Sequence, residues 1–172
     1  MKASIIVLSL IAFAVLAFSC THKKESPKVL VIFYSQTSNT KGVAQEIAKR
    51  MGADIEEIIP IEAYDTAFQA TIDRCLKDRE LGKTPEIKPI KADIASYDLI
   101  FVGYPVWFGT FAPPMATFLD KADLSGKKVV PFCTFGSGGL ESSAKDLAAK
   151  QPTSLRRSHR VRRCSWPAGR SS

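Results

Sequence analysis

The stretch that decides the fold is Lys28-Val29-Leu30-Val31-Ile32-Phe33-Tyr34 (KVLVIFY), followed directly by Ser35-Gln36-Thr37-Ser38-Asn39-Thr40 (SQTSNT). An apolar run without polar alternation marks a strand covered on both faces, as in parallel sheets. From Thr40 onward, Val43, Ala44, Ile47, Ala48 and Met51 recur at helical spacing, and Gly52 is a fitting stop. The hydroxyl-rich loop therefore joins the end of a strand to the first turn of a helix. Unpaired N–H groups and the helix dipole favour an anion there. The loop contains neither GxxxxGK nor GxGxxG, and a dianionic monophosphate suits it best. Ser38 or Thr40 acting only as a helix cap would explain one hydroxyl but not the cluster.

Outward from this unit, Asp54 to Ile61 reads as a second strand closed by Pro60, and Tyr64 to Leu81 as a helix or partly irregular segment. Gly82 to Pro89 is a loop, Leu99 to Gly103 a third buried strand, and Pro113 to Lys121 a helix with proline in its first turn. Lys127 to Thr134 is a fourth strand, whose Pro131 is tolerable near an edge or bulge, and Leu140 to Lys150 is the last helix. Strands alternating with helices predict an α/β fold with a doubly wound parallel sheet, whose ligands bind at the carboxyl ends of the strands. That brings the loops after Tyr34, Gly103 and Thr134 around one site.

In the second loop, Pro105, Val106, Trp107, Phe108 and Gly109 hold a flat apolar wall between a proline and a glycine. Core burial is the competing role for Trp107 and Phe108. The third loop, Thr134-Phe135-Gly136-Ser137-Gly138-Gly139, lets backbone N–H and C=O groups approach a ligand closely. No catalytic acid or base, nicotinamide motif or metal-ligand spacing stands out. Cys75, Cys133 and Cys164 form no CxxC pair, and Cys133 reads as a small buried hydrophobe.

Together these loops resemble the flavodoxin family. YSQTSNT is similar to its phosphate loop, GYPVWFG to its aromatic flavin-contacting loop, and TFGSGG to its second flavin turn with the Gly and Ser order permuted. The resemblance implies FMN as cofactor and a strand order 2-1-3-4-5. The site would then consist of residues 35–40, 105–109 and 134–138, serving electron transfer or flavin-dependent reduction. FMN supplies such chemistry while the protein supplies binding, stacking and electrostatics. The expected partner is a redox protein or a small quinone-like acceptor. A scaffold without functional flavin, acting as a non-redox or defective binding module, is the alternative.

The ends of the chain read differently. Lys2 followed by the apolar run Ile5 to Phe18 and then Cys20 resembles a bacterial lipoprotein signal. Residues 1–19 would be removed and Cys20 lipidated, with 20–27 a polar linker, which implies export to the cell envelope and a membrane anchor. The net charge of +7 is concentrated at the other end: six of the nine arginines follow Pro152, and the rest of the chain holds 18 basic against 17 acidic residues. The segment 151–172 lacks aromatic interleaving and helical periodicity, so nucleic acid is not the expected partner. It also reads as neither the fifth strand nor the last helix of the resembled family. The expected domain is therefore 28–150, with an aberrant basic tail and an open edge at the fourth strand.

Overall fold

The computed structural model describes residues 26–151. The expected signal segment 1–19, Cys20, most of the expected linker and the expected tail from residue 152 onward lie outside the described residues.

Strand β1 (Val29–Phe33) is buried along its whole length, as its unbroken apolar run requires. It pairs in parallel with β2 (Asp54–Glu57) on one edge and β3 (Leu99–Trp107) on the other. Strand β3 in turn pairs in parallel with β5 (Lys128–Thr134), while the short β4 (Thr110–Phe111) folds back antiparallel on its end. The resulting order β2-β1-β3-β5 is the predicted flavodoxin-like arrangement, with β5 as the fourth long strand. Helices α1 (Asn39–Met51), α2 (Phe68–Glu80), α3 (Pro113–Lys121) and α4 (Leu140–Lys150) complete the described chain.

Side chains of a strand alternate between faces, so β1 feeds two cores. Leu30 and Ile32 join Ile100, Val102 and Val129, which pack with Met115, Phe118 and Leu119 of α3 and Leu147 of α4. On the opposite face, Val31 and Phe33 meet Ala44 and Ala48 of α1, whose small side chains let the helix lie close to the sheet. Each large apolar side chain so buried stabilises the fold by about 1.5–3 kcal/mol.

Two expectations change. The second strand stops at Glu57 instead of Ile61, because the chain leaves β1 to meet residues 86–88: Ile61 N–H donates to Glu86 O (2.9 Å) and Lys88 N–H to Ile59 O (2.8 Å). The third strand runs four residues further than Gly103, to Trp107, so the second loop begins as strand. Helix α2 starts at Phe68 and 62–67 is irregular, so Tyr64 to Leu81 takes the partly irregular of its two expected forms. Pro131 lies in β5, which has no second strand partner among the described residues. Gly103 is set by packing: a Cβ there would sit 2.1 Å from Cζ of Phe132. Among the described residues, no helix is long and apolar enough to cross a membrane.

Buried tyrosines, Tyr97 and Tyr104 among them, link stability to pH. Burial, with the hydrogen bond that Tyr97 donates to Asp54 Oδ2 (2.8 Å) as the next cause, pushes its phenol up to about 12. Burial likewise pushes Tyr104 to about 12. A pKa raised above the unfolded value of about 10 stabilises the fold fully below pH 10, and that stabilisation is lost as pH rises toward 12. Denaturant unfolding across this range should show stability falling, with a shallower slope in Tyr97→Phe; equal slopes would show that Tyr97 carries none of the linkage.

Candidate active site

The first loop prepares a helix terminus for an anion. Ser38, the residue before α1, has left-handed backbone (φ 63°), and its side chain makes no capping bond. Ser35 takes up the slack, its Oγ accepting from the Lys41 N–H (3.2 Å). Asn39 Nδ2 donates to Thr37 Oγ1 (3.3 Å). The first N–H groups of a helix have no acceptor within it, and α1 carries no acid in its first turn, so the terminus stays electropositive. Lys41, also in that turn, pairs with Glu57 at 2.8 Å.

Thr40 also has a structural bond. It is buried, and its hydroxyl shares a 2.8 Å hydrogen bond with the Thr134 hydroxyl. This bond ties the start of α1 to the end of β5, so the first and third loops are anchored to each other.

The second loop is a β-hairpin. Val106 pairs with Phe111 and Trp107 with Thr110, leaving a two-residue turn of Phe108 (φ 51°) and Gly109 (φ 81°). Positive φ at both positions is the type I′ pattern, which normally selects Asn-Gly. Among the described residues, Ser38 and Phe108 are the two non-glycine residues with positive φ, and both lie in predicted site loops. Such strain costs about 1–2 kcal/mol per residue and gathers at functional sites. The third loop packs on this turn: Ser142 donates to Gly109 O, and a Cβ on Gly139 would come within 2.7 Å of Val106 Cγ1.

These loops surround a cavity of about 750 Å³. Gln36 and Thr37 line it from the first loop, residues 105–109 from the second, and Gly136 to Gly139 from the third. Ser35, Ser38, Asn39, Thr40, Thr134 and Phe135 do not line it; Ser35, Thr40 and Thr134 act as struts between elements. The wall that sequence reasoning missed comes from Asp65 and Thr66 together with Phe68, Thr71 and Ile72 at the start of α2. A phenylalanine opening the otherwise polar and charged run that follows, FQATIDRCLKDRE, was the available signal.

Trp107 is fixed from two sides. Tyr34 and Tyr64 each meet it edge to face, at ring distances of 5.9 and 5.2 Å. Tyr34 donates to Gln36 Oε1 (2.7 Å), and Gln36 Nε2 donates onward to Asp65 O (2.8 Å), tying the first loop to the missed wall. Arg74 supports that wall from behind: its guanidinium lies 4.3 Å from the Tyr64 ring centre and donates to Ala63 O (2.8 Å). Burial, then the nearby Cys75 thiol, pushes the phenols of Tyr34 and Tyr64 well above the ordinary tyrosine range, so both stay neutral.

Because Phe108 occupies a position that favours Asn, Phe108→Asn should raise unfolding stability by about 1 kcal/mol in denaturant melts. A loss of stability would mean that the ring's packing outweighs the backbone strain.

Comparison with known proteins places the chain. A family model described as Flavodoxin matches residues 28–163. A curated relative from Azorhizobium caulinodans, named NAD(P)H dehydrogenase (quinone), is 33% identical over 129 residues, which is 67% of this chain and 61% of the relative. A second of the same name, from Rhodopseudomonas palustris, is 30% identical over 55% of this chain and 46% of the relative. The chain thus spans about half to three fifths of the length of these relatives. Among solved structures, a candidate flavoprotein from Bacteroides eggerthii superposes with a TM-score of 0.68 at 31% identity, over 74% of this chain and 83% of that one. A flavoprotein from Lactobacillus acidophilus, solved in complex with FMN, gives 0.65 at 28% identity, over 73% of this chain and 86% of that one. With the family model covering the whole sheet and all three loops, this chain belongs to the flavodoxin family.

Proposed function

We propose that this chain binds FMN in the cavity and serves electron transfer or flavin-dependent reduction. The observation that carries the reading is the convergence of the loops after β1, β3 and β5 on one cavity walled by Trp107. Its volume lies within the range of about 300–1,000 Å³ typical of cofactor sites.

The residues present fit the group. The left-handed Ser38 and the open N–H groups at the start of α1 suit a phosphate, with Thr37 and Asn39 as further donors. Trp107, held by Tyr34 and Tyr64, offers a flat face to a flavin ring. Gly136 and Gly138, where an added Cβ would meet nothing within 4 Å, leave backbone groups open for the ring's polar edge. Bound FMN would supply the redox chemistry, and stacking on an aromatic disfavours adding negative charge to the ring. The name shared by the curated relatives supports a small quinone-like acceptor as the partner, and a redox protein is the alternative. Export with lipid attachment at Cys20 is proposed from the sequence of the first 20 residues alone.

Full-length protein mixed with excess FMN and desalted should remain yellow and bleach with dithionite. Trp107→Leu should weaken FMN binding about tenfold in a fluorescence titration. A colourless wild-type chain that nevertheless melts cooperatively would overturn the reading in favour of a non-redox scaffold. Expressed in bacteria, the wild type should fractionate with membranes and Cys20→Ser should not; equal partitioning would rule out the anchor.

A further inference from the structure

The cavity has an outer lip of exposed rings beyond the contacts proposed for FMN with Trp107 and the loop backbones. Among the described residues, the exposed large aromatics are Phe68 (81% exposed), Phe108 (55%) and Phe135 (47%). All three belong to segments around this one cavity: Phe68 and Phe108 line it, and Phe135 adjoins the lining residue Gly136. Isolated exposed apolar residues are ordinary, but several gathered at one cleft mark a binding surface. Phe108 is also held there in a backbone conformation unfavourable for its type.

Charge is the second feature. The lining contains no Lys, Arg or His, and its one ionisable group of either sign is the carboxylate of Asp65. That residue is rigidly placed: Oδ1 accepts from the Ala67 N–H (2.8 Å), and its carbonyl oxygen accepts from Gln36 Nε2 (2.8 Å) and Thr71 Oγ1 (2.9 Å). Arg74, which follows this wall in α2, is outside the lining and engaged with Tyr64, Glu62 and Asp78.

We propose that this lip is a binding site for a flat, positively charged aromatic molecule, taken up by the rings of Phe68 and Phe108 and neutralised by Asp65. Aromatic faces attract cations, and a carboxylate beside them, with no basic group in the lining, favours cations over anions. The inference rests on the reading above for the inner wall, which Trp107 and the loop backbones would give to FMN.

The test uses the FMN-loaded full chain and redox-inert probes of similar shape, N-methylquinolinium as the cation, quinoline as the neutral molecule and naphthalene sulfonate as the anion. Calorimetric titration should rank them cation, neutral, anion. Asp65→Asn should weaken the cation about tenfold while leaving the neutral probe unchanged, and Phe68→Ala should weaken both. Phe68 is exposed, so its truncation leaves the core intact. Equal affinities across the three probes, or a Phe68→Ala variant that loses FMN but not the cation, would overturn the site. Failure of the FMN reading is separately visible, since that protein would be colourless before any probe is added.

Discussion

The site depends on the backbone pairing of β3. Its first half is hydrogen-bonded to β1 on one edge and to β5 on the other, which buries it and fixes its direction. Where β1 ends, β3 continues for four more residues, and its backbone groups on that side need new partners, since buried unpaired groups are costly. Thr110 and Phe111 supply them by folding back, and the tight turn this demands forces positive φ on Phe108. The strained turn at the cavity is thus a consequence of extending a central strand past its neighbour.

Around that extension, the three loops form a mutually braced set. Thr40 and Thr134 join the first loop to the third through one partly buried hydroxyl pair, a bond worth about 0.5–1.5 kcal/mol. Gly139 permits the third loop to press on the second. Gln36 carries the bracing to the 62–67 segment, and Arg74 holds that segment from behind. Trp107 stands at the centre, gripped by two tyrosine edges worth about 0.5–1.5 kcal/mol each. A rigid aromatic wall of this kind is what a flat cofactor requires, because affinity is lost when the pocket must order itself on binding.

Parts of this were legible in the residues. The KVLVIFY run could only be a doubly covered strand, and the spacing of Val43, Ala44, Ile47, Ala48 and Met51 could only be a helix face. Gly52, left-handed at φ 59°, stops α1 where its identity says it should. The segment from Glu62 to Ala67 was not legible, since its conformation is held by contacts with Gln36 and Arg74 that are remote in sequence. The hairpin at Phe108-Gly109 was hidden because its first residue is not among those that the turn favours.

The sequence by itself determined the class of fold, the order of its elements and the three loops that meet at one end of the sheet. Those features follow from local periodicity and from glycine, proline and hydroxyl chemistry, which act over a few residues. Tertiary structure decided which side chains line the cavity and which brace it. It tied Thr40 to Thr134, brought Asp65 and Phe68 to the wall, and set Trp107 against two tyrosines. Such assignments depend on distances between segments far apart in the chain, and only packing sets those distances.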